Sequence, residues 1–532
     1  MDHLGEVLLA LMVTVAALSA VARIVGVPYP ILLVVGGLVL GFVPGAPDVE
    51  LDPELVLVLF LPPLLYSAAF FSNLRDLKAN LRPISLTAVG LVVLTACAVA
   101  VVAHALIDGL PWAAAFALGA IVAPTDPLAA TEIVRRLGAP RRITSVIEGE
   151  SLINDGTALT FYRFAVAAAV GSTFSLADAT LEFLLDSTGG IAVGLAVGWA
   201  VAEIRRRLDD PQVEITISLA TGYAAYLPAE QAGLSGVLAA VSAGIVLGWR
   251  APDIASARMR MQGFAVWDVL VFLLNAILFV LIGLQFQVVL DGLESRSAAD
   301  LALWAVAVCA AVVGARLLWV FTTPYLIRAL DRRESQRARR VGWQARVVVA
   351  WGGMRGSVSM AAALALPLEV SGGAPFPGRD LIIFLAYAVI VFTIVVQGLT
   401  LPALIRWLGL QETDAGTERE EELLARLAIG EAALERLEQL TGEDWTREDT
   451  IERVRGMYEY RLRRFSAQRD GDGTEGIEDR SLAYQQLMRE LIDAQRRALV
   501  QLRKEGAIND EIMRRVQREL DLEEQRLEIT PD

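Results

Sequence analysis

Four hydrophilic side chains, Glu148, Glu150, Asn154 and Asp155, fall within eight positions of the stretch EGESLINDGTALTF, residues 148 to 161, inside a long apolar segment. An ionisable group near the centre of a bilayer costs about 2.5 to 3.5 kcal/mol even on lenient scales, so such groups usually face a cavity or a partner and mark an ion path. On a helix, Glu150 and Asn154 share one stripe at i, i+4, and Ser151 and Asp155 share the next, rotated by about 100°. The spacing predicts two jobs rather than one. Two further stretches carry polar groups among helix breakers: APTDP at 123 to 127, with Thr125 and Asp126 between prolines, and WGGMRGS at 351 to 357, with Arg355 among three glycines. Proline removes a backbone donor and glycine weakens a helix, so both helices are expected to unwind near their centres.

Depth brings these stretches together. At about 1.5 Å per residue, Asp155 lies roughly 18 Å from the inner end of its segment, and Asp126 roughly 21 Å from the outer end of the preceding antiparallel one. The two carboxylates can therefore meet near mid-bilayer. Freed carbonyls near Thr125 and the Ser151 hydroxyl would add oxygen ligands suited to a small hard cation. A site that accepts either a cation or protons, but not both, exchanges them whenever it meets each side in turn. Such a carboxylate pair titrates as a unit, with macroscopic constants.

The elements that must position these residues follow from hydropathy. The chain has 532 residues, 55% of them hydrophobic and 20% charged, with a mean hydropathy of +0.50. That is too oily for a soluble protein of this size and reads as an all-α polytopic membrane protein. Spanning a bilayer takes about 20 apolar residues, and thirteen such segments are predicted between Leu4 and about Leu410, from 4–22 to 380–405. Thirteen divides as six, one linker, six, which inverts the second half relative to the first. The two interrupted helices then occupy matching positions, where transporters of this kind build their sites.

The arginines set the expected orientation. Alternate loops put 22 of the 27 basic residues before position 411 on one side, among them Arg75, Arg82, Arg135, Arg142 and the run from Arg328 to Arg346. By the positive-inside rule that side is cytoplasmic, with the N-terminus outside and the C-terminal tail inside. Asp2, His3 and Glu6 replace the basic start of a signal peptide, so the first segment is expected to be retained. Residues 411 to 532 carry 31 acidic and 20 basic side chains, and an acidic tail argues against nucleic acid as a partner. Leu424, Leu427, Leu434 and Leu437, and later Ile508, Ile512, Val516 and Leu520, predict amphipathic helices separated by a flexible RDGDGTEG. Cys97 and Cys309 lie in apolar runs and imply no disulfide framework.

APTDP, EGESLIND and GGMRGSVSMA, in this order and at these spans, resemble the monovalent cation:proton antiporters, in particular the electroneutral sodium/proton exchanger branch and its bacterial form with a helical tail. The resemblance covers about residues 1–410. It implies a transmembrane antiporter domain in the cell membrane with Na+, Li+ or K+ and H+ as substrates, no cofactor, and two subdomains. A core of spans 83–170 and 300–405 would move against dimerisation spans 4–72 and 186–288, giving a homodimer in lipid, with 411–532 as a cytoplasmic regulatory or dimerisation tail. It further implies that Asp155 is the principal ion and proton carrier, assisted by Asp126, Thr125 and Ser151. Glu150 and Asn154 would be structural, with Glu150 held by an arginine. Arg316 is favoured for that pair and Arg355 for the broken-helix crossing. Electrogenic relatives have Asp where Asn154 stands, so one-for-one exchange is implied. Several relatives carry a carboxylate at the position of Ser67, which puts cation affinity or selectivity at issue.

Other readings have specific tests. A K+/H+-selective antiporter differs only in the cation. An intramembrane aspartyl protease would show Gly-Asp and Tyr-Asp motifs, whereas here the aspartates follow Thr125 and Asn154. A cation channel, or a membrane sensor signalling through its tail, would not need two matched broken helices, and a channel would be expected to carry a pore-loop filter. Among weaker signals, Arg163 is expected to pair with an acid near the outer end, Glu132 with Arg135 or Arg136, and His104 to sit at the interface. Asn275 is the best functional candidate on its span, ahead of Asp268, Gln285 and Gln287.

Overall fold

The computed structural model describes residues 4–43, 53–171, 176–293, 296–330, 342–371, 373–410, 415–470 and 474–528. Residues 331–341, which hold most of the predicted arginine run, and 471–473 in RDGDGTEG lie outside the described residues, as does the side chain of Gln285. The chain divides into two compact units, Met1–Thr413 and Asp414–Asp532.

The first unit is helical: α1 (Leu4–Val25), α2 (Tyr29–Gly41), α3 (Pro53–Phe70), α4 (Leu74–Ala79), α5 (Leu81–Leu106), α6 (Trp112–Val122), α7 (Leu128–Arg136), α8 (Arg141–Val170), α9 (Leu176–Arg205), α10 (Pro211–Gln231), α11 (Gly236–Ile254), α12 (Ala257–Asp291), α13 (Ala298–Leu330), α14 (Trp343–Trp351), α15 (Ser357–Leu364) and α16 (Arg379–Trp407). Among the described residues the only β pairing is an isolated bridge, Glu369 with Pro375. Six of these helices contain stretches long and apolar enough to cross a membrane, and four shorter apolar helices accompany them. At 35 residues, α12 would be about 52 Å long, against a hydrocarbon layer of about 30 Å, so in a bilayer it must tilt or project.

Both predicted interruptions are present. Residues 123–127 separate α6 from α7 and residues 352–356 separate α14 from α15. The interruptions cross, because the Asp126 N–H donates to the Met354 carbonyl (2.8 Å). Each break thus supplies a partner for backbone that the other leaves without a helical one. A large apolar core surrounds α6, α15 and α16, from Leu118 and Ile121 to Met360, Ile382 and Ile390. A second apolar layer joins Leu152 of α8 and Ala361 of α15 to Phe60, Tyr226, Val237 and Leu278.

One buried charge pair was not anticipated. Arg205, one of the 22 basic residues that the alternation of loops places on the cytoplasmic side, is 0% exposed and lies 3.7 Å from Glu214 of α10, which is 1% exposed.

In the second unit, α17 (Ala415–Leu440), α18 (Glu448–Asp470), α19 (Thr474–Lys504) and α20 (Asp510–Glu528) form helical pairs. Here the predicted stripes need correction. Leu423, not Leu424, is buried with Leu427, and Met513 rather than Ile512 packs with Ile492, Leu499 and Leu520. The apolar sequence offers adjacent candidates on each helix, and the position of the facing helix selects one. Arg426 lies 5.3 Å over the Phe465 ring to join α17 and α18, and Arg496 joins α19 to Asp521 and Glu524 of α20 at 2.6 and 2.5 Å.

Candidate ion-binding site

Residue spacing on α8 sends its two polar stripes in different directions. Glu150, 1% exposed, is gripped by both terminal nitrogens of Arg316, which is equally buried. Asn154, on the same stripe, donates through Nδ2 to the Thr125 hydroxyl oxygen (2.8 Å), and that hydroxyl in turn donates to Glu150 (3.4 Å). This stripe therefore fastens the first break to α8 and, through Arg316, to α13. On the next stripe, Ser151 Oγ donates to the Thr125 carbonyl (2.7 Å). One turn on, Asp155 is 5% exposed, and its Oδ1 is buried with no hydrogen-bond partner among the described residues.

The charges around the crossing match the ends of the broken helices. A helix leaves unpaired N–H groups and partial positive charge at its start, and unpaired C=O groups and partial negative charge at its end. Asp126 serves the starts: its Oδ1 accepts from the Leu128 N–H (2.9 Å) at the head of α7, and the Ser357 backbone at the head of α15 also bonds its carboxylate. The arginines serve the ends. Arg355 donates through Nε to the Val122 carbonyl at the end of α6 (3.0 Å) and through Nη1 to Gly353. Arg316 donates to the Val349 carbonyl in the last turn of α14, through Nε (3.2 Å) and Nη2 (3.0 Å). Thr125, Asp126, Glu150, Asn154, Arg316 and Arg355 are thus all engaged in holding the crossing.

A cavity of about 550 Å³ opens beside it, lined by Asp155, Asp126, Thr125 and Ser151. It extends to the ion pair of Arg135 with Glu148 (2.5 Å), where the arginine is 68% exposed. Ser67, Asp268 and Asn275 also line it. The Ser67 hydroxyl donates to the Leu64 carbonyl (2.9 Å), and Asn275 Nδ2 donates to the Val271 carbonyl (2.8 Å).

Space at the crossing depends on two glycines. A Cβ at Gly356 would come within 1.8 Å of Asp126 Oδ2, and one at Gly353 within 2.3 Å of Arg316 Nε. Both groups are held by hydrogen bonds, so neither moves aside without losing them. Gly356→Ala is expected to displace Asp126 from both helix starts and to lower ion flux in reconstituted vesicles about tenfold or more, since misplacing a positioned group by about 1 Å can cost a factor of 100. Wild-type flux in that variant would show that the Asp126 position does not matter.

The weaker sequence signals sort as follows. Arg163 pairs with Glu230, whose other oxygen accepts the Gly236 N–H at the start of α11 (3.1 Å). Of the two arginines expected near Glu132, Arg136 is the one that acts on it electrostatically while also donating to the Gly26 carbonyl (3.2 Å), and Arg135 takes Glu148. Arg135 can reach α8 because α7 packs against it, a relation that local spacing cannot express. His104 Nδ1 lies 2.7 Å from the Leu110 carbonyl and its ring 4.1 Å from Trp112. Sequence reasoning missed Thr393, whose hydroxyl oxygen accepts the Arg355 N–H (3.0 Å). A fully buried hydroxyl in the apolar helix α16 was the available signal.

Comparison with known proteins gives this arrangement a setting. A family model described as "Sodium/hydrogen exchanger, transmembrane" matches residues 8–407. An uncharacterized Na+/H+ exchanger of Mycobacterium tuberculosis is 38% identical over 527 residues, 98% of this chain and 96% of the relative. The Na+/H+ antiporter ApNhaP of Aphanothece halophytica is 34% identical over 441 residues, 82% of this chain and 81% of the relative. The solved structure of the sodium proton antiporter MjNhaP1 from Methanocaldococcus jannaschii shares the fold, with a TM-score of 0.60 at 20% identity over 77% of this chain and 99% of that one. With the family model spanning both broken helices and the polar helix between them, the chain is a multi-pass membrane protein that belongs to the sodium/hydrogen exchanger family, a family of transporters rather than enzymes.

Proposed function

We propose that the protein exchanges one Na+ for one H+ by alternating access, with cation and proton competing for Asp155. The observation that carries this reading is the contrast inside the crossing. Six polar groups are tied up in holding broken helices, while Asp155 faces a cavity with a carboxylate oxygen that no group among the described residues satisfies. A buried, unpartnered carboxylate needs either a proton or a cation, and it exchanges one for the other when the cavity delivers it. Ser151 and Asp126 line the same wall and supply oxygen atoms at its edge. Na+ is favoured over Li+ or K+ as the physiological cation because the Aphanothece relative is a Na+/H+ antiporter.

The cavity reaches the Arg135 end of the bundle, the side that the positive-inside rule assigns to the cytoplasm. In this reading the conformation faces inward. Motion of the core spans 83–170 and 300–405 against spans 4–72 and 186–288 would close that cavity and open the apolar layer between α8 and α11 on the opposite side, and a homodimer would hold the second set still.

The test is Na+-induced dissipation of a pH gradient in proteoliposomes, repeated with Li+ and K+ and at imposed membrane potentials. For one-for-one exchange, the reversal point is expected to follow the cation and proton gradients alone. Each net charge moved would shift it by about 2.3 kcal/mol per 100 mV, so a potential-dependent reversal point would refute the stoichiometry. Flux driven by K+ but not Na+ would replace the cation and keep the mechanism.

A further inference from the structure

Two of the side-chain oxygens lining the cavity beside the crossing are buried with no hydrogen-bond partner among the described residues: Asp155 Oδ1 and the hydroxyl of Ser359. Ser359 is 0% exposed and stands in the first turn of α15, just past the second break. A hydroxyl inside a helix commonly bonds back to a carbonyl three or four residues earlier, as Thr157 does to Ile153 (3.3 Å) and Thr160 to Gly156 (2.9 Å) on α8. Ser359 lacks that option because the residues three and four before it, Gly356 and Arg355, belong to the break, and Gly356 is not helical (φ −146°, ψ −141°). Burying a hydroxyl without a partner is costly, so its place on the cavity wall calls for an occupant. Packing of α15 brings it to α8: Ala361, two residues on, shares an apolar cluster with Leu152, which lies one turn before Asp155.

A proton and a cation make different demands on such a place. A proton needs one carboxylate, whereas a small hard cation stripped of water needs several oxygens around it. Asp155, Ser151 and Asp126 offer oxygens from α8 and the first break, and none of these comes from the second. The Ser359 hydroxyl oxygen has two lone pairs and, among the described residues, no bond that a cation would have to break. Partial positive charge at the start of α15 opposes a cation there, and Asp126, which the Ser357 backbone bonds, offsets it. We propose that the Ser359 hydroxyl is a ligand for the transported cation, closing with Asp155, Ser151 and Asp126 a shell drawn from both broken helices. The proposal rests on the reading of Asp155 as the carrier. It makes Ser359 a residue that tells the two substrates apart, because it strengthens cation binding and leaves proton binding alone.

Initial rates of Na+-driven proton flux in proteoliposomes, measured across Na+ concentration and pH, provide the test. Ser359→Ala is expected to raise the Na+ concentration for half-maximal flux about tenfold, the scale of losing one charge-assisted contact, and by more than it lowers the maximal rate. The constant with which protons compete against Na+ is expected to stay where it is. Ser359→Cys has nearly the same size but offers a soft sulfur that a hard cation avoids, so the same rise is expected. Neither variant leaves a new group unpaired, and both should keep the unfolding midpoint in detergent. A wild-type Na+ requirement in either folded variant would overturn the proposal, as would a fall in maximal rate alone, which marks a scaffold residue. Asp155→Asn keeps the two readings apart: if it abolishes flux while Ser359→Ala leaves the Na+ requirement unchanged, the carrier stands and Ser359 is excluded. Flux that survives Asp155→Asn removes the carrier and this shell with it.

Discussion

Asp155→Asn is expected to abolish Na+-driven proton flux in proteoliposomes, by about a hundredfold or more, while leaving the protein folded. The two side chains have nearly the same shape, and Asp155 Oδ1 has no hydrogen-bond partner to lose among the described residues. Removing a buried charge that nothing compensates should leave the unfolding midpoint unchanged or higher. The comparison with Asp126→Asn sharpens the result. Asp126 accepts from backbone amides at two helix starts, and an amide oxygen can still accept from them, so a partial loss of about tenfold is expected there. Flux within tenfold of wild type in Asp155→Asn would refute the assignment of the carrier. Equal losses in the two variants would mean that the carboxylates act as one unit.

Breaking the Glu150–Arg316 pair should instead show itself in stability. Both partners are 1% exposed, and removing one leaves the other charge buried and uncompensated, a loss of about 3 to 5 kcal/mol in comparable pairs. Glu150→Gln and Arg316→Met are each expected to lower the unfolding midpoint in detergent by many degrees. The double variant should be less destabilised than the two single losses combined, because no orphaned charge remains. It should not recover fully, since Arg316 also donates to the Val349 carbonyl and that acceptor stays unpaired. Strict additivity in this double-mutant cycle would argue that the two groups are not coupled.

Much of the architecture was legible without coordinates because hydropathy and helix breakers act locally. Apolar runs mark helices, Pro124 and Pro127 interrupt one, and Gly352, Gly353 and Gly356 interrupt the other. The two polar stripes of α8 also follow from 3.6-residue geometry alone, which is why Asp155 and Glu150 could be read as doing different work. Partnership was a different matter. That Asp126 also answers the start of α15 at Ser357, that Arg316 and Arg355 answer the two opposing helix ends, and that Thr393 receives the Arg355 amide depend on residues 33 to 233 positions apart in the chain. The same limit hid the Arg205–Glu214 and Arg135–Glu148 pairs. Sequence by itself determined where backbone groups would be left unpaired and which ionisable groups were costly to bury. Only the tertiary structure decided which of those needs meet each other, because electrostatic and hydrogen-bond satisfaction depends on distances of a few ångströms between segments that the chain order does not bring together.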